Sequence, residues 1–434
     1  MEKRSDKAHE NTANEAGPGA SIPPELFPQI VRNVAKKDLL ACSRVCRAWL
    51  GFAQPFIFRT LSLWLVSQCV RWNMKFDTYP RLLSMVEEVR LYGGNDYISM
   101  DPEASDGSES EVYVIFLLRE PQVVRLLSRL THIRFLSLDN IQLEPNQLLA
   151  FQNMTLVKVL DLSRVHFPSH RDACRFLEKM PKISALSFDF CVDWVGVMAP
   201  DDLRNANSSS GPIRLKALTL CNVDVEVALL SWLLGSFFDL SDLYTLKIMW
   251  KMHWGDNDPP KPGIYALYEE LISTCSHVKH LTLSVSHFVT PENPDFCLDH
   301  LVEAKVFASF RSIETITFSC DLPVEDCIEL QDINAVVRVL EAMDAPRLHR
   351  IQLYIRISSE VEEDEPGDQD VPWGFFDSVL TSDSFPALRR VVFFTQVDLK
   401  SARDQVARMI TNQLPKLVSR DCLRFDYARA RKQC

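Results

Sequence analysis

The chain has 434 residues, of which 47% are hydrophobic and 24% are charged, as is usual for a globular protein with a sizeable core. The formal net charge is −11, and two acidic runs account for it, with five acids at 101–111 and seven at 360–370. The rest of the chain is close to neutral and has no basic stripe, which argues against a nucleic-acid partner.

The cysteine pattern and the apolar runs indicate where the protein works. The twelve cysteines are scattered and none forms a CxxC pair, so we expect free thiols in a reducing compartment. The first twenty residues are polar and lack the apolar core of a secretory signal, and we expect them to be disordered. No run approaches the ~18 apolar residues of a membrane span. These features predict a cytoplasmic or nuclear protein with no membrane partner.

Two short amphipathic patterns come next. Pro23 to about Val34 predicts a first helix, and residues 39–53 predict a second helix capped by Asp38. Both carry apolar residues on more than one face, more than two small helices can bury against each other. Two interpretations remain open: a helical cap on the following domain, or a docking surface for another protein.

The same segment resembles the F-box. The residues at the family's spacing are Ile22, Pro23, Glu25, Leu26, Ile30, Asp38, Leu39, Leu40, Cys42, Val45, Cys46, Arg47 and Trp49. The resemblance implies an F-box over residues 21–62 that binds the small Skp adaptor and, through it, the cullin of an SCF ubiquitin ligase. The implied adaptor contacts are all of these residues except Asp38 and Arg47. The stretch AQPFIFRTLSL at 53–63 is similar to fungal-type F-box proteins.

From residue 58 onward a short strand-like template, apolar-x-x-apolar-x-apolar, recurs eleven times. Its last apolar positions lie 24 to 47 residues apart. The triplets are Phe58/Leu61/Leu63, Val86/Val89/Leu91, Ile133/Leu136/Leu138, Val157/Leu160/Leu162, Ile183/Leu186/Phe188, Leu215/Leu218/Leu220, Leu243/Leu246/Ile248, Val278/Leu281/Leu283, Ile313/Ile316/Phe318, Leu348/Ile351/Leu353 and Leu388/Val391/Phe393. Regular spacing of such segments indicates an internal repeat.

Segments with helical periodicity lie between the strands, for example at 169–180, 262–275, 298–310, 330–343 and 401–414. Strand and helix alternating at this period predict an α/β solenoid over residues 63–434. The strand segments resemble leucine-rich repeats, since HIRFLSLDNIQL keeps the pattern down to Asn140, whereas Arg164 stands where the family has Asn. The acidic runs, at about 95–111 and 359–371, read as loop insertions. The competing interpretation is an ordinary open α/β sheet.

Four aromatic residues are candidates for binding a protein substrate. Trp194, Trp250 and Trp254 lie in loops after strands, and Tyr354 lies at an outward position of a strand. Tryptophans in these loops would equally fill gaps between irregular repeats.

The sequence carries no motif for catalysis or for a cofactor. Cys275, His277 and His280 lie close together, but no second ligand pair follows at zinc-finger spacing, so we expect no metal. Phosphate-loop, nucleophile-elbow and dinucleotide motifs do not occur. The fold prediction is an N-terminal all-helical F-box fused to an irregular leucine-rich-repeat-like α/β solenoid. The predicted function is a non-catalytic substrate-recognition subunit of an SCF ubiquitin ligase; the alternative is a non-ligase scaffold for protein–protein interaction.

Overall fold

Two units make up the chain, Met1–Thr60 and Leu61–Cys434. A computed structural model describes residues 23–93, 117–189, 193–194, 204, 211–221, 227–249, 263–284, 297–319, 332–356, 373–396 and 400–427. The predicted N-terminal tail, both acidic runs and Ile22 lie outside the described residues.

The described part of the N-terminal unit is helical. A 3-10 turn, Pro24–Leu26, leads into α1 (Phe27–Arg32), α2 (Lys36–Cys42) and α3 (Arg47–Ile57). Pro24 suits the start of the turn because its missing N–H has no helical partner to lose. The unit therefore has one more helix than the two predicted from the sequence.

The prediction of one continuous helix over 39–53, capped by Asp38, was wrong. The helix stops at Cys42, and Cys46 has an extended backbone (φ −163°) before α3 begins. The Ser43 hydroxyl donates to the Leu40 carbonyl at 2.8 Å in the intervening turn. The N-cap of α2 is Ala35, with Asp38 in the first turn. Breaking the helix lets side chains from both halves pack around Val31 of α1.

The second unit alternates strands and helices. Its strands are β1 Thr60–Leu63, β2 Glu88–Tyr92, β3 Phe135–Gln142, β4 Val159–Phe167, β5 Ala185–Asp189, β6 Asp193–Trp194, β7 Ile213–Arg214, β8 Ala217–Cys221, β9 Phe238–Asp239, β10 Thr245–Met249, β11 His280–Ser284, β12 Thr315–Ser319, β13 Arg350–Arg356, β14 Arg390–Gln396 and β15 Leu423–Tyr427. Its helices are α4 Val66–Thr78, α5 Pro121–Arg129, α6 His170–Glu178, α7 Val227–Leu233, α8 Ile264–Thr274, α9 Cys297–Glu303, α10 Asp332–Glu341, α11 Trp373–Leu380, α12 Lys400–Gln413 and α13 Pro415–Ser419. The 3-10 segments are Pro80–Met85, Leu117–Arg119, Gln147–Phe151 and Val306–Ser309.

The strand order decides between the two fold interpretations. Within the described residues the main sheet runs β1-β2-β3-β4-β5-β8-β10-β11-β12-β13-β14-β15, with β6 beside β4, while β7 and β9 form a separate pair. From β2 to β15 the successive pairs are parallel. The order of the strands in the sheet therefore follows their order in the sequence, and each repeat stacks on the one before it, as in a solenoid. The α/β solenoid prediction is confirmed.

In all eleven predicted triplets the last two apolar residues lie on strands of this sheet, and the first lies just before the strand begins. Their last two apolar side chains are no more than 2% exposed in every case. Each such side chain contributes about 1.5–3 kcal/mol by leaving water. The twelfth strand, β15, was missed because Arg420 occupies the first apolar position of its template. Residues 298–310 form α9 and a 3-10 turn rather than one helix, since Lys305 between them takes a left-handed backbone (φ 54°).

Arg164 of β4 replaces the consensus Asn at a position where the backbone is left-handed. Asn140 and Arg164 both have a left-handed backbone, with φ of 55° and 50°. Asn tolerates this conformation better than Arg does. Arg164 makes an ion pair with Asp139 of the preceding repeat, at 2.8 Å, which helps to hold it there. Gly93 lies at the equivalent place directly after β2, where a Cβ would meet the Asn140 carbonyl oxygen at 1.6 Å.

A buried carboxylate holds the last helices together. Asp377 of α11 is 1% exposed and accepts hydrogen bonds from the backbone N–H groups of Lys416 and Leu417, both at 2.9 Å. These two N–H groups belong to the first turn of α13, where no helical carbonyl is available to them. A negative charge there also interacts favourably with the helix dipole.

We expect Asp377→Ala to lower the free energy of unfolding by about 2–4 kcal/mol, because it leaves two N–H groups without their acceptors. Asp377→Asn keeps the shape and one acceptor oxygen, so its loss should be about half as large. A urea titration of both variants measures the difference. Equal stability of Asp377→Ala and the wild type would contradict this role.

Candidate functional site

The N-terminal unit has a small core of its own. Val31, Leu39 and Ala53, one from each helix, are buried together. Phe27 stacks on Phe52, with ring centroids 5.1 Å apart, and meets the edge of Trp49 at 5.0 Å. The aromatic rings thus tie α1 to α3, and Leu39 ties α2 to both.

Among the described residues of this unit, four large apolar side chains are exposed to solvent. Leu26 is 42% exposed, Leu40 51%, Val45 67% and Leu50 41%. Exposed apolar side chains in a unit of this size mark it as a candidate docking surface for a partner. We call these four residues the apolar docking set.

The structure divides the residues that the F-box resemblance marks as adaptor contacts. Leu26, Leu40 and Val45 belong to the apolar docking set. Pro23, Glu25 and Cys46 are exposed, and Ile30 is half-buried. Leu39 is 4% exposed, and the half-buried Cys42 and Trp49 pack against the same core, so these three stabilise the unit from inside. Ile22 lies outside the described residues. Leu50 was missed, although it follows Cys46 at one helical turn.

The second unit presents one face of its sheet to solvent. The residues between the buried strand positions align in register from strand to strand. One row runs Arg90, Ser137, Asp161, Ser187, Thr219, Lys247, Thr282, Thr317, Gln352, Val392 and Arg424. Most of these side chains are half-buried or exposed, and the row is mainly polar. The register extends this row to Val392 of β14 and Arg424 of β15.

Of the predicted substrate-binding aromatics, Tyr354 is the one whose side chain the structure describes. It is 37% exposed and stacks on Phe394, with ring centroids 4.4 Å apart and planes 9° apart. Trp194 lies in β6 without a described side chain, and Trp250 and Trp254 lie outside the described residues. Sequence reasoning missed Phe394 and a second aromatic pair, Trp64 and Tyr92, at 5.2 Å.

The residues considered for a zinc site are buried or engaged in packing. Burial raises the pKa of the Cys275 thiol to about 12, which leaves it protonated at neutral pH. Desolvation lowers the pKa of His280, whose ring meets the edge of Tyr244 at 4.7 Å. Among the described residues, no group of three His, Cys, Asp or Glu side chains is placed to hold a metal ion.

Two other thiols, the buried Cys69 and the half-buried Cys174, have raised pKa values. Desolvation raises the pKa of Cys69 to about 11 and that of Cys174 to about 12. All seven cysteines with described side chains are free thiols. In the described part of the chain, no helix has the length and apolar character needed to cross a membrane.

The N-terminal unit matches a known protein family. Residues 20–64 match the family model described as F-box-like. The N-terminal unit is an F-box-like region. F-box domains generally bind Skp-type adaptors. A comparison of the whole chain with curated protein sequences finds no match.

Solved structures similar to the chain are distant. A Bacteroides fragilis protein has 10% identity and a TM-score of 0.35, covering 85% of this chain and 74% of its own. An internalin of Listeria monocytogenes has 11% identity and a TM-score of 0.23, covering 70% and 82%. The leucine-rich-repeat ectodomain of the Arabidopsis thaliana receptor kinase GASSHO1/SCHENGEN3, solved with CASPARIAN STRIP INTEGRITY FACTOR 2, has 10% identity and a TM-score of 0.23, covering 80% and 39%.

The chain thus joins an F-box-like region to an α/β domain with a long parallel sheet of leucine-rich-repeat-like architecture. The repeat assignment rests on the strand order and register of the sheet itself. Such an organisation is that of an F-box/repeat scaffold for protein interaction.

Proposed function

We propose that the chain is the substrate-recognition subunit of an SCF ubiquitin ligase. The F-box-like region docks on the Skp adaptor and reaches the cullin through it, and the sheet face of the repeats binds a protein substrate. The chain carries no catalytic residue of its own in this role. It would work in the cytoplasm or nucleus, as a member of the fungal-type F-box group that the stretch at 53–63 resembles.

The observation that supports the proposal most is the apolar docking set within the match to the F-box-like family. Leu26, Leu40, Val45 and Leu50 are exposed in the segment that F-box domains use to bind their adaptor. Apolar anchors near the centre of an interface supply most of its binding energy. A subunit that holds a substrate beside the ubiquitin-charged enzyme acts by raising the local concentration of that substrate.

Reconstitution from purified proteins tests the proposal. The full chain is mixed with the Skp adaptor and then with a cullin–RING assembly, and complexes are separated by size-exclusion chromatography. We expect one complex that contains all three components. Recovery with the adaptor but not with the cullin would favour the non-ligase scaffold instead. Failure to bind the adaptor would leave the F-box-like region as a structural cap.

A further inference from the structure

Basic residues collect on the solvent face of the last strands of the repeat sheet. His280 of β11, Arg350 of β13 and Arg390 of β14 lie in one register row, separated only by Thr315 of β12. Arg424 of β15 lies in the next row, and its guanidinium pairs with Asp421 at 2.9 Å. We call Arg350, Arg390, Tyr354 and Phe394 the basic–aromatic patch, for the two features that neighbour each other there.

Arg350 and Arg390 lie directly opposite each other on paired parallel strands. Like charges opposite each other across a strand pair destabilise the sheet unless an anion relieves them. The Gln352 amide nitrogen donates to Thr317 Oγ1, and the amide oxygen then accepts a hydrogen bond from Arg350 at 2.8 Å. Because this amide is neutral, it does not neutralise the positive charge of Arg350. Arg390 is exposed and makes no ion pair within the described residues. A carboxylate beside these two guanidinium groups would offset their repulsion.

The aromatic part of the patch lies further along the same two strands. Tyr354 and Phe394 are register partners, like Arg350 and Arg390, and their rings stack at 4.4 Å. Tyr354 is exposed and Phe394 half-buried, so the stacked pair presents a flat apolar surface to solvent. Such a surface accepts an apolar or aromatic side chain of a partner.

The opposite end of the sheet face has the reverse charge. Glu88, Asp139, Asp161 and Asp189 lie on β2 to β5, where Arg90 and Arg164 are the basic residues of this surface. Arg164 is paired with Asp139, and Asp161 accepts a hydrogen bond from Ser137 at 3.1 Å. Arg350, Arg390 and Arg424 lie at the other end of the face, together with Asp426 of β15, which is the register partner of Phe394. The arginine pair at the start of β13 and β14 is therefore the place on this face that favours an acidic partner.

We propose that the basic–aromatic patch binds an acidic segment of a partner protein that also carries an apolar side chain. This inference names the substrate class for the proposed function and rests on it. Successive residues of a strand rise about 3.3 Å, so the arginine pair and the aromatic pair, four residues apart, lie about 13 Å apart along the strands. Four residues of an extended peptide span the same distance. The patch therefore fits an acidic residue followed four positions later by an aromatic or aliphatic one.

The probe is a synthetic fluorescent twelve-residue peptide in a Gly/Ser frame, with two adjacent glutamates and a phenylalanine four positions after the second. Its binding to the full chain is measured by fluorescence anisotropy at low salt. Two control peptides have glutamines in place of the glutamates, or the phenylalanine moved to two positions after them. We expect both controls to bind at least about tenfold more weakly, which is the order of one charge-assisted contact.

Variants of the full chain test whether the peptide binds at the basic–aromatic patch. Arg390→Glu and Tyr354→Ala should each weaken peptide binding about tenfold or more. Arg171→Glu makes the same change of charge at an exposed position of α6, outside the sheet face, and should leave binding unchanged. A thermal melt of each variant checks that the fold is intact. Arg390→Glu should melt no lower than the wild type, because a glutamate opposite Arg350 removes the like-charge pair, and the surface change Arg171→Glu should match the wild type.

The inference would be overturned by no binding to the wild type, by equal binding of the glutamine peptide, or by equal effects of Arg390→Glu and Arg171→Glu. Binding that emerges only when residues 359–371 are replaced by Gly and Ser would assign the patch to the chain's own acidic run and overturn an external partner. Adaptor binding is measured in parallel. Loss of the peptide signal alone contradicts this inference, and loss of the adaptor signal alone contradicts the proposed function.

Discussion

Replacing Leu40 and Val45 together by glutamate is expected to weaken binding of the Skp adaptor at least about 100-fold, or about 2.8 kcal/mol. Both side chains are more than half exposed, so the new carboxylates stay hydrated in the free chain. In the complex they would lose that hydration inside an apolar contact, which is costly for a charge. The free energy of unfolding should change by no more than about 0.5 kcal/mol, as for other surface substitutions. Calorimetric titration of the purified adaptor measures the effect.

Leu149→Glu is the matched control for this prediction. Leu149 lies in the 3-10 segment Gln147–Phe151 of the repeat domain and is 60% exposed, between the values for Leu40 and Val45. It should leave the adaptor affinity unchanged. If Leu149→Glu and the double variant had equal affinities for the adaptor, the apolar docking set would have no special role.

Leu39→Ala should produce the second large effect, by a different route. Leu39 is adjacent in sequence to Leu40 but buried in the core of the F-box-like region, with Val31 and Ala53. Truncating a buried leucine costs about 2–5 kcal/mol, and a core of this size has little stability in reserve. We expect amide protection across residues 27–57 to fall in hydrogen exchange, while protection of the repeat strands stays unchanged. Adaptor affinity should fall with it.

Leu39→Met is the control, because it nearly conserves the volume and should cost less than about 1.5 kcal/mol. Substitutions at these two neighbouring leucines thus distinguish a loss of F-box-like core stability from a loss of contact with the adaptor. Leu39→Ala should change both protection and affinity, and Leu40→Glu affinity alone. A Leu39→Ala variant with wild-type protection would contradict the burial of this side chain.

The strands of the repeat domain could be predicted because their pattern is local. Two apolar positions in every strand, spaced by two residues, fix which face is buried. Strand β15 was not predicted because Arg420 stands at the first apolar position of the three-residue template, although Leu423 and Phe425 keep the other two positions. The break between α2 and α3 was not predicted because residues 39–53 carry apolar side chains on more than one face, as a single helix also could. Their packing on Val31 is a tertiary effect that a helical pattern does not contain.

The candidate sites could likewise be predicted only where they depend on local sequence and not on tertiary packing or strand register. The F-box resemblance marks Leu39 and Leu40 equally, and only the packing of three helices determines which one points to solvent. Tyr354 was visible as a strand-face aromatic, but its partner Phe394 is forty residues away and is found only through the register of β13 and β14. The pairing of Arg350 with Arg390 depends on the same register.

The most direct test of the account is side-chain footprinting of the full chain by hydroxyl radicals, with and without a saturating amount of the Skp adaptor. Oxidation of Leu26, Leu40, Val45 and Leu50 is expected to fall in the complex, because the adaptor covers the apolar docking set. Oxidation of Leu149 and Tyr354 should stay unchanged. No complex, or a complex that leaves those four side chains as reactive as before, would contradict the account.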